Sequence, residues 1–341
     1  MSLLRNAINA FAEAPAPDAV SRAAISYLVG HTRRQLAKAP PTLEAEFVRQ
    51  MAERPIAEHA DAANDQHYEV PSDFFLACLG PRLKYSSCLY RTGRESLAEA
   101  EEIALAETCE HAGIADGQVI LELGCGWGSL SLWMARQYPA ARITSVSNSS
   151  SQKTFIDDCA RRLGIKNLSV ITCDMNDFDI RQTFDRIVSV EMFEHMANWR
   201  GLLTRTRNWL KPDGRLFLHV FSHVSAPYRF EVKDKNDWIA QHFFTGGIMP
   251  SHNLIRGFPD LYSVEQDWRW SGGHYERTAL QWLENFDANE ARIWPALVET
   301  YGGDARLWKR RWRLFFLATA GLFGHAGGAE WGVSHYLLKP A

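Results

Sequence analysis

Short apolar runs alternating with helical stretches dominate the middle of the chain. Val119–Leu123 reads as a first strand, followed by a helix through Leu130–Gln137 that Pro139 ends. Arg142–Val146 reads as a second strand. Phe155, Cys159 and Leu163, spaced four apart, predict a helix that stops at Gly164. Leu168–Cys173, Phe184–Val190 and Arg215–Val220 supply three more strands, with a helix around Leu202–Leu210 before the last. Continuous apolar strands separated by helices predict a parallel sheet covered on both faces.

The flanks follow other patterns. Residues 1–66 are strand-poor. Ile25, Leu28, Val29 and Leu36 keep helical spacing, as do Leu43, Phe47 and Met51 after Pro40-Pro41, so a helical arm is expected there. Polar residues from His59 to Gln66 read as a linker. A further helix is predicted in 67–116, where Ser96 and Glu99 have capping-box spacing and Gly113 suits the stop. The alternating core occupies 117–221. In 222–304 the alternation is lost among aromatics and histidines, which we read as a cap insertion. A helix (Leu307–Leu322) and a strand (Gly332–Lys339) in 305–341 complete the core.

Composition narrows the function classes. Lys plus Arg is 37 against 40 Asp plus Glu, a net charge of −3, which gives no electrostatic footprint for nucleic acid or an anionic membrane. No apolar run approaches the roughly 20 residues of a membrane span, and the N-terminus does not read as a secretory signal. Six cysteines (78, 88, 109, 125, 159, 173) lie scattered without a CxxC pair, as expected of reduced thiols in the cytoplasm. No histidine spacing matches a zinc constellation, so no metal is expected. Twelve Trp and 18 Phe make an aromatic surplus, much of it after the last parallel strand: Phe221, Phe244, Tyr275, Phe323 and Trp331 are candidate pocket walls.

The chemistry starts at Val119-Ile-Leu-Glu122-Leu-Gly124-Cys-Gly126-Trp-Gly128-Ser129. Glycines directly after a first strand allow a tight turn and close approach of a ligand to a helix N-terminus. A dinucleotide fingerprint would carry its third glycine at position 129 and an acid after the second strand. Here position 129 is Ser, and the second strand ends Val146-Ser147-Asn148. Glycine at every second position, with Glu122 two before the first, resembles instead the opening motif of class I S-adenosyl-L-methionine-dependent methyltransferases. Asp174, after the third strand, then meets the adenine or caps the next segment, with Met175 beside it. Asn148 and Gln152 are neutral candidates for the ribose hydroxyls.

The fourth strand ends in Ser189-Val190-Glu191-Met192-Phe193-Glu194-His195-Met196. Parallel sheets place ligands at the carboxyl ends of their strands, so Glu191, Glu194 and His195 are candidates to face the reacting methyl. A carboxylate can hold a cationic amine, and a carboxylate or His can take its proton. His219 closes the fifth strand and either enters the same mouth or stays in the core.

From about Tyr68 to its end, the chain resembles the cyclopropane fatty acid synthase superfamily of methyltransferases, and within it the plant branch that N-methylates coclaurine-type benzylisoquinoline alkaloids. The matching stretches are Leu83–Cys88, Leu121–Ser129, Ser147–Gln152, Val190–Met196, Phe243–Ser251, Gly272–Tyr275 and Glu330-Trp331. The resemblance implies a Rossmann-like α/β fold with a seven-stranded, mostly parallel sheet. It also implies that Tyr85 and Ser86 close over the methionine end of the cofactor, Gly124 and Gly126 lie under that end, Gln152 meets the ribose, and Asp174 the adenine. It makes Glu191, Glu194 and His195 the catalytic group. In the lipid-cyclopropanating members, residues matching Glu194, His219 and Tyr275 help form a bicarbonate site. Two positions depart from the lipid pattern: Ser87 stands where Cys is usual, and Glu191 where Gly is usual. Both favour an N-methyltransferase acting on a small aromatic amine, with a lipid-acyl cyclopropane synthase as the alternative. A homodimer built through the N-terminal arm is compatible with either.

Overall fold

The computed structural model describes residues 17–58, 70–230 and 241–341. The linker expected at His59–Gln66 and the first 16 residues lie outside the described residues. Five strands, β1 (Val119–Leu123), β2 (Arg142–Ser147), β3 (Leu168–Thr172), β4 (Phe184–Val190) and β5 (Leu210–His223), pair in parallel. The last strand of the chain, β9 (Trp331–Pro340), runs antiparallel to β5, and β8 (Tyr262–Ser271) pairs antiparallel to β9 at the edge. The resulting seven-stranded order is β3-β2-β1-β4-β5-β9-β8. A two-stranded ribbon, β6 (Tyr228–Arg229) with β7 (Ile248–Met249), stands beside it.

The strands form where the apolar runs predict, because both sheet faces are covered. Ile120, Leu121, Leu123, Ile187, Val188, Leu216 and Phe217 are all buried, and each aliphatic side chain so removed from water contributes roughly 1.5–3 kcal/mol. Two expectations need correction. The segment 222–304 is not solely a cap, since β8 lies within it and closes the main sheet. Its polar residues belong to an edge strand, which buries only one flank and so lacks the continuous apolar run of the central strands. The helix Ser150–Leu163 forms as predicted and ends on left-handed Gly164, but its buried stripe is Gln152, Ile156 and Ala160, one residue away from Phe155, Cys159 and Leu163. Sequence periodicity located the helix while the polar Gln152, facing inward, hid its true face.

The helical arm packs on its own chain. Helix α1 (Asp18–Leu36) buries Ile25 and Val29 in the same cluster as Phe316, Leu317 and Phe323 of the C-terminal helix Ala305–Phe323. Arg313 of that helix bonds Asp18 and Asp287. Helix α2 (Leu43–Met51) buries Phe47 and Met51 in the cluster that covers β4 and β5. The arm then reaches the sheet: Asn176 exchanges two 3.0 Å hydrogen bonds with the backbone of Ala57. The predicted capping box forms, Ser96 and Glu99 each bonding the other's backbone at the start of Leu97–His111.

Candidate active site

The turn after β1 uses three left-handed glycines, Gly124 (φ 79°), Gly126 (φ 50°) and Gly128 (φ 79°). A Cβ at Gly124 would lie 2.5 Å from Met192 Cγ, and one at Gly128 2.6 Å from Ile156 Cγ1, so both positions are closed by the protein itself. A Cβ at Gly126 would meet nothing within 4 Å. Gly126 therefore faces open space at the N-terminus of the helix Ser129–Gln137, where backbone N–H groups favour an approaching ligand.

That space is a cavity of about 1260 Å³, counted with its mouth. Tyr85, Ser86, Glu122, Gly124, Gly126, Asn148, Gln152, Asp174 and Met175, the nine positions singled out from the sequence around the cofactor, all line it, and so does Glu191, expected to face the reacting methyl. Its polar bonding is incomplete. Gln152 Oε1 accepts from Ser147 Oγ at 2.7 Å, yet Gln152 Nε2 has no partner among the described residues, nor do Trp127 Nε1 and Ser129 Oγ on the same wall. Buried polar groups left unbonded cost about 1–3 kcal/mol each, so the wall suits a ligand with hydroxyl and amine groups. Asp174 also holds its own turn, Oδ1 accepting from Asn176 N at 2.6 Å. Glu122 is buried and accepts from Ser131 and Ser145. Burial pushes its pKa up to about 7.

At the end of β4, Glu191 adopts φ 47°, a left-handed conformation that costs a side-chain-bearing residue roughly 1–3 kcal/mol. The resulting bend turns the carboxylate toward β5. Its Oε2 accepts from Tyr275 OH at 2.7 Å, and its Oε1 accepts from Ser87 N at 3.0 Å and lies 3.3 Å from His219 Nε2. Burial raises the Glu191 pKa, and the nearby Lys84 opposes that rise. Burial also holds the His219 pKa well below its ordinary value.

Glu194 and His195 sit on the turn Phe193–His195 that follows. Glu194 is fully buried; Oε1 accepts from Phe221 N at 2.6 Å, while Oε2 has no partner among the described residues. Burial, then the Glu191 charge, pushes its pKa well up. His195 lines the cavity and lies 4.4 Å, ring to ring, from Phe244. From there aromatic contacts run through Phe221 (5.3 Å) and Phe323 (6.1 Å) to Tyr275 (4.3 Å), returning to Glu191. Trp331 does not join them. It is fully buried, and its indole N–H donates to Tyr228 OH at 3.2 Å, so its place is in the core.

Sequence reasoning missed Lys84. It is buried, its Nζ donates at 2.6 Å to both Ser86 Oγ and Ser87 O, and it lines the cavity as a cation near Glu191. It lay within the matched stretch Leu83–Cys88, but a lone Lys carries no sign of burial. Thr245 and the arm residues Ala57 and Glu58 also line the cavity, placed there only by the fold. Among the described residues there is no cluster of His, Cys, Asp and Glu that could hold a metal.

The family model described as mycolic acid cyclopropane synthetase matches residues 57–326. The chain belongs to that family. Within the cyclopropane synthetase family, it is 39% identical over 289 residues to (S)-coclaurine N-methyltransferase of Thalictrum flavum subsp. glaucum, covering 83% of this chain and 80% of the relative. It is 34% identical to the enzyme of the same name from Papaver somniferum, covering 80% and 79%. The crystal structure of coclaurine N-methyltransferase bound to N-methylheliamine and SAH superimposes with a TM-score of 0.91 at 33% identity, covering 98% of this chain and 99% of that one.

Proposed function

We propose that this member of the cyclopropane synthetase family is an S-adenosyl-L-methionine-dependent N-methyltransferase whose acceptor is a small aromatic amine of the coclaurine type. One observation carries the reading. Tyr275 OH and His219 Nε2, two of the groups assigned by family resemblance to bicarbonate in lipid-modifying members, here lie against the carboxylate of Glu191. A carboxyl group built into that seat, able to ionise as the nitrogen becomes cationic, suits an amine acceptor. The N-methyltransferase relatives support the same assignment.

The Gly124–Gly128 turn, Gln152 and Asn148, Asp174 with Met175, and Tyr85 with Ser86 are the residues we assign to the glycine-facing, ribose, adenine and methionine portions of the cofactor. When bound, S-adenosyl-L-methionine supplies an electrophilic sulfonium methyl group. The protein's own residues do the rest. His195, on the cavity wall, takes the proton from an arriving ammonium so that the nitrogen presents its lone pair. Glu194 adds a buried acceptor behind it through the open Oε2. The Phe244–Phe221–Phe323–Tyr275 path packs behind His195 and Glu191 without itself lining the cavity, and fixes the shape of the seat offered to a flat amine. Glu191 balances the positive charge that the nitrogen gains.

None of the described helices is long and apolar enough to cross a membrane. Six free cysteines support placing the enzyme in the cytoplasm, and a homodimer is compatible with this proposal. The deciding experiment supplies methyl-labelled cofactor with primary, secondary and tertiary aromatic amines and a monounsaturated phospholipid. Label is expected in an amine product. Label confined to the lipid extract would replace this reading with acyl cyclopropanation.

A further inference from the structure

Behind Glu191 the hydrogen bonding does not stop at His219. His219 Nδ1 lies 2.8 Å from His335 Nε2, and His335 Nδ1 lies 2.8 Å from His111 Nδ1. The outer ring nitrogen, His111 Nε2, is 4.0 Å from Glu107 Oε1, and the His111 side chain keeps 12% exposure. Strand register builds the inner part: His219 and His335 are directly paired across β5 and β9, and Trp268 pairs with His335 across β8. The rings are held by aromatics. Trp268 stacks on His111 at 3.8 Å, Trp270 packs on His335 at 4.4 Å, and Trp270 Nε1 donates to Glu107 Oε1 at 3.0 Å.

We propose that His219, His335 and His111 form a proton wire through which Glu191 trades its proton with solvent behind the sheet. The geometry permits two complete hydrogen-bond states. In one, Glu191 is the acid and every N–H points outward. In the other, Glu191 is a carboxylate and every N–H points inward. Passage between them is balanced. The Glu191 O–H proton moves to His219 Nε2, the His219 Nδ1 proton to His335 Nε2, and the His335 Nδ1 proton to His111 Nδ1; the His111 Nε2 proton leaves to water. When a neutral amine nitrogen gains a methyl group it becomes a cation, and Glu191 ionises by this route while the amine fills the cavity side. Departure of the cationic product draws the proton back, so the wire resets without any ring turning over.

The charged groups facing the wire fit its direction. Lys84 lies at the inner end and favours the carboxylate, whereas Glu107, bonded to Arg91 at 2.7 Å, and Glu110 face the outer end. Burial keeps both His219 and His335 well below their ordinary pKa, so they relay as neutral imidazoles rather than store charge. This role for the three histidines rests on the amine-methylation reading; their two-state bonding does not.

Two measurements test it. In the ligand-free chain, the ¹³C shift of the Glu191 carboxyl and the ¹⁵N shifts of His219 and His335 are expected to titrate together as Glu191 ionises, both tautomers inverting. Tautomers that stay fixed, or change independently, would overturn the wire even if no amine were ever found. In turnover, His335→Phe and the outer-end variant His111→Ala are each expected to lose roughly tenfold or more in kcat at low buffer, with KM within about twofold. Added imidazole should restore His111→Ala and leave His335→Phe unrestored. Wild-type kcat in His111→Ala at low buffer, or no imidazole rescue of that variant, would reduce the histidines to packing.

Discussion

Along β1, β2 and β3 the cleft leaves several polar atoms unbonded, whereas at the ends of β4, β5 and β9 the Glu191 carboxyl group and the histidines bond one another and Glu194 Oε2 stays open. Gln152 Nε2, Trp127 Nε1 and Ser129 Oγ wait on the first side. On the second, the two Glu191 oxygens meet Tyr275, Ser87 and His219, all from the same chain. Within the first side's glycine turn, Gly124 and Gly128 are closed by protein and Gly126 is left open. The difference teaches which side a ligand completes. The cofactor half gains hydrogen bonds on binding, so affinity resides there. The acceptor half holds the Glu191 carboxyl group in place before any ligand arrives, at the cost of burial and a left-handed φ, so rate resides there.

The largest expected effect separates those halves. Glu191→Gln keeps the shape and an acceptor oxygen but removes the charge, so kcat should fall by roughly 10²–10⁴ while affinity for S-adenosyl-L-homocysteine, measured calorimetrically, stays within about threefold. Comparable loss of both would mean that the halves are one unit. The converse variant is Gly126→Ala. Its Cβ enters open space, so the free fold should lose only about 1 kcal/mol from the left-handed φ, while cofactor affinity falls roughly tenfold to hundredfold by overpacking. Unchanged affinity would place the ligand elsewhere.

The smallest effect is on stability alone. The Glu122 pKa is raised in the folded state, so its favourable contribution is present below the ordinary glutamate pKa of 4.5 and is lost as pH rises through about 7. Glu122→Gln should therefore melt like the parent near pH 4.5 and exceed it above pH 7, by on the order of 3 kcal/mol. A pH-independent difference would show that hydrogen bonding from Ser131 and Ser145, rather than ionisation, sets the balance.

The cofactor half was the more legible in the sequence because its chemistry is local. Strand, glycine turn and helix follow one another within Val119–Gln137, and Glu122, Gly124 and Gly126 line one cavity while Gly128 packs on Ile156. The acceptor half was legible only in part. Glu191, Glu194 and His195 are neighbours in the chain, and Phe221, Phe244, Phe323 and Tyr275 do form one aromatic path. None of these rings lines the cavity, and Phe221, Tyr275 and Phe323 are buried in the same core cluster as Trp331. His335 showed no signal at all, since it meets His219 only through pairing between strands 116 positions apart. The edge strand β8 was hidden for a related reason: it packs on one side only, so its polar positions read as a cap.

That Glu191 supplies the counter-charge for amine methylation is tested most directly by Glu191→Gly with formate. Glycine accepts φ 47° without strain and leaves Tyr275 OH and His219 Nε2 facing an empty seat. Amine methylation is expected to collapse in this variant and to recover at least tenfold when formate is added, with cofactor affinity unchanged throughout. Full amine methylation by Glu191→Gly without formate would contradict the account.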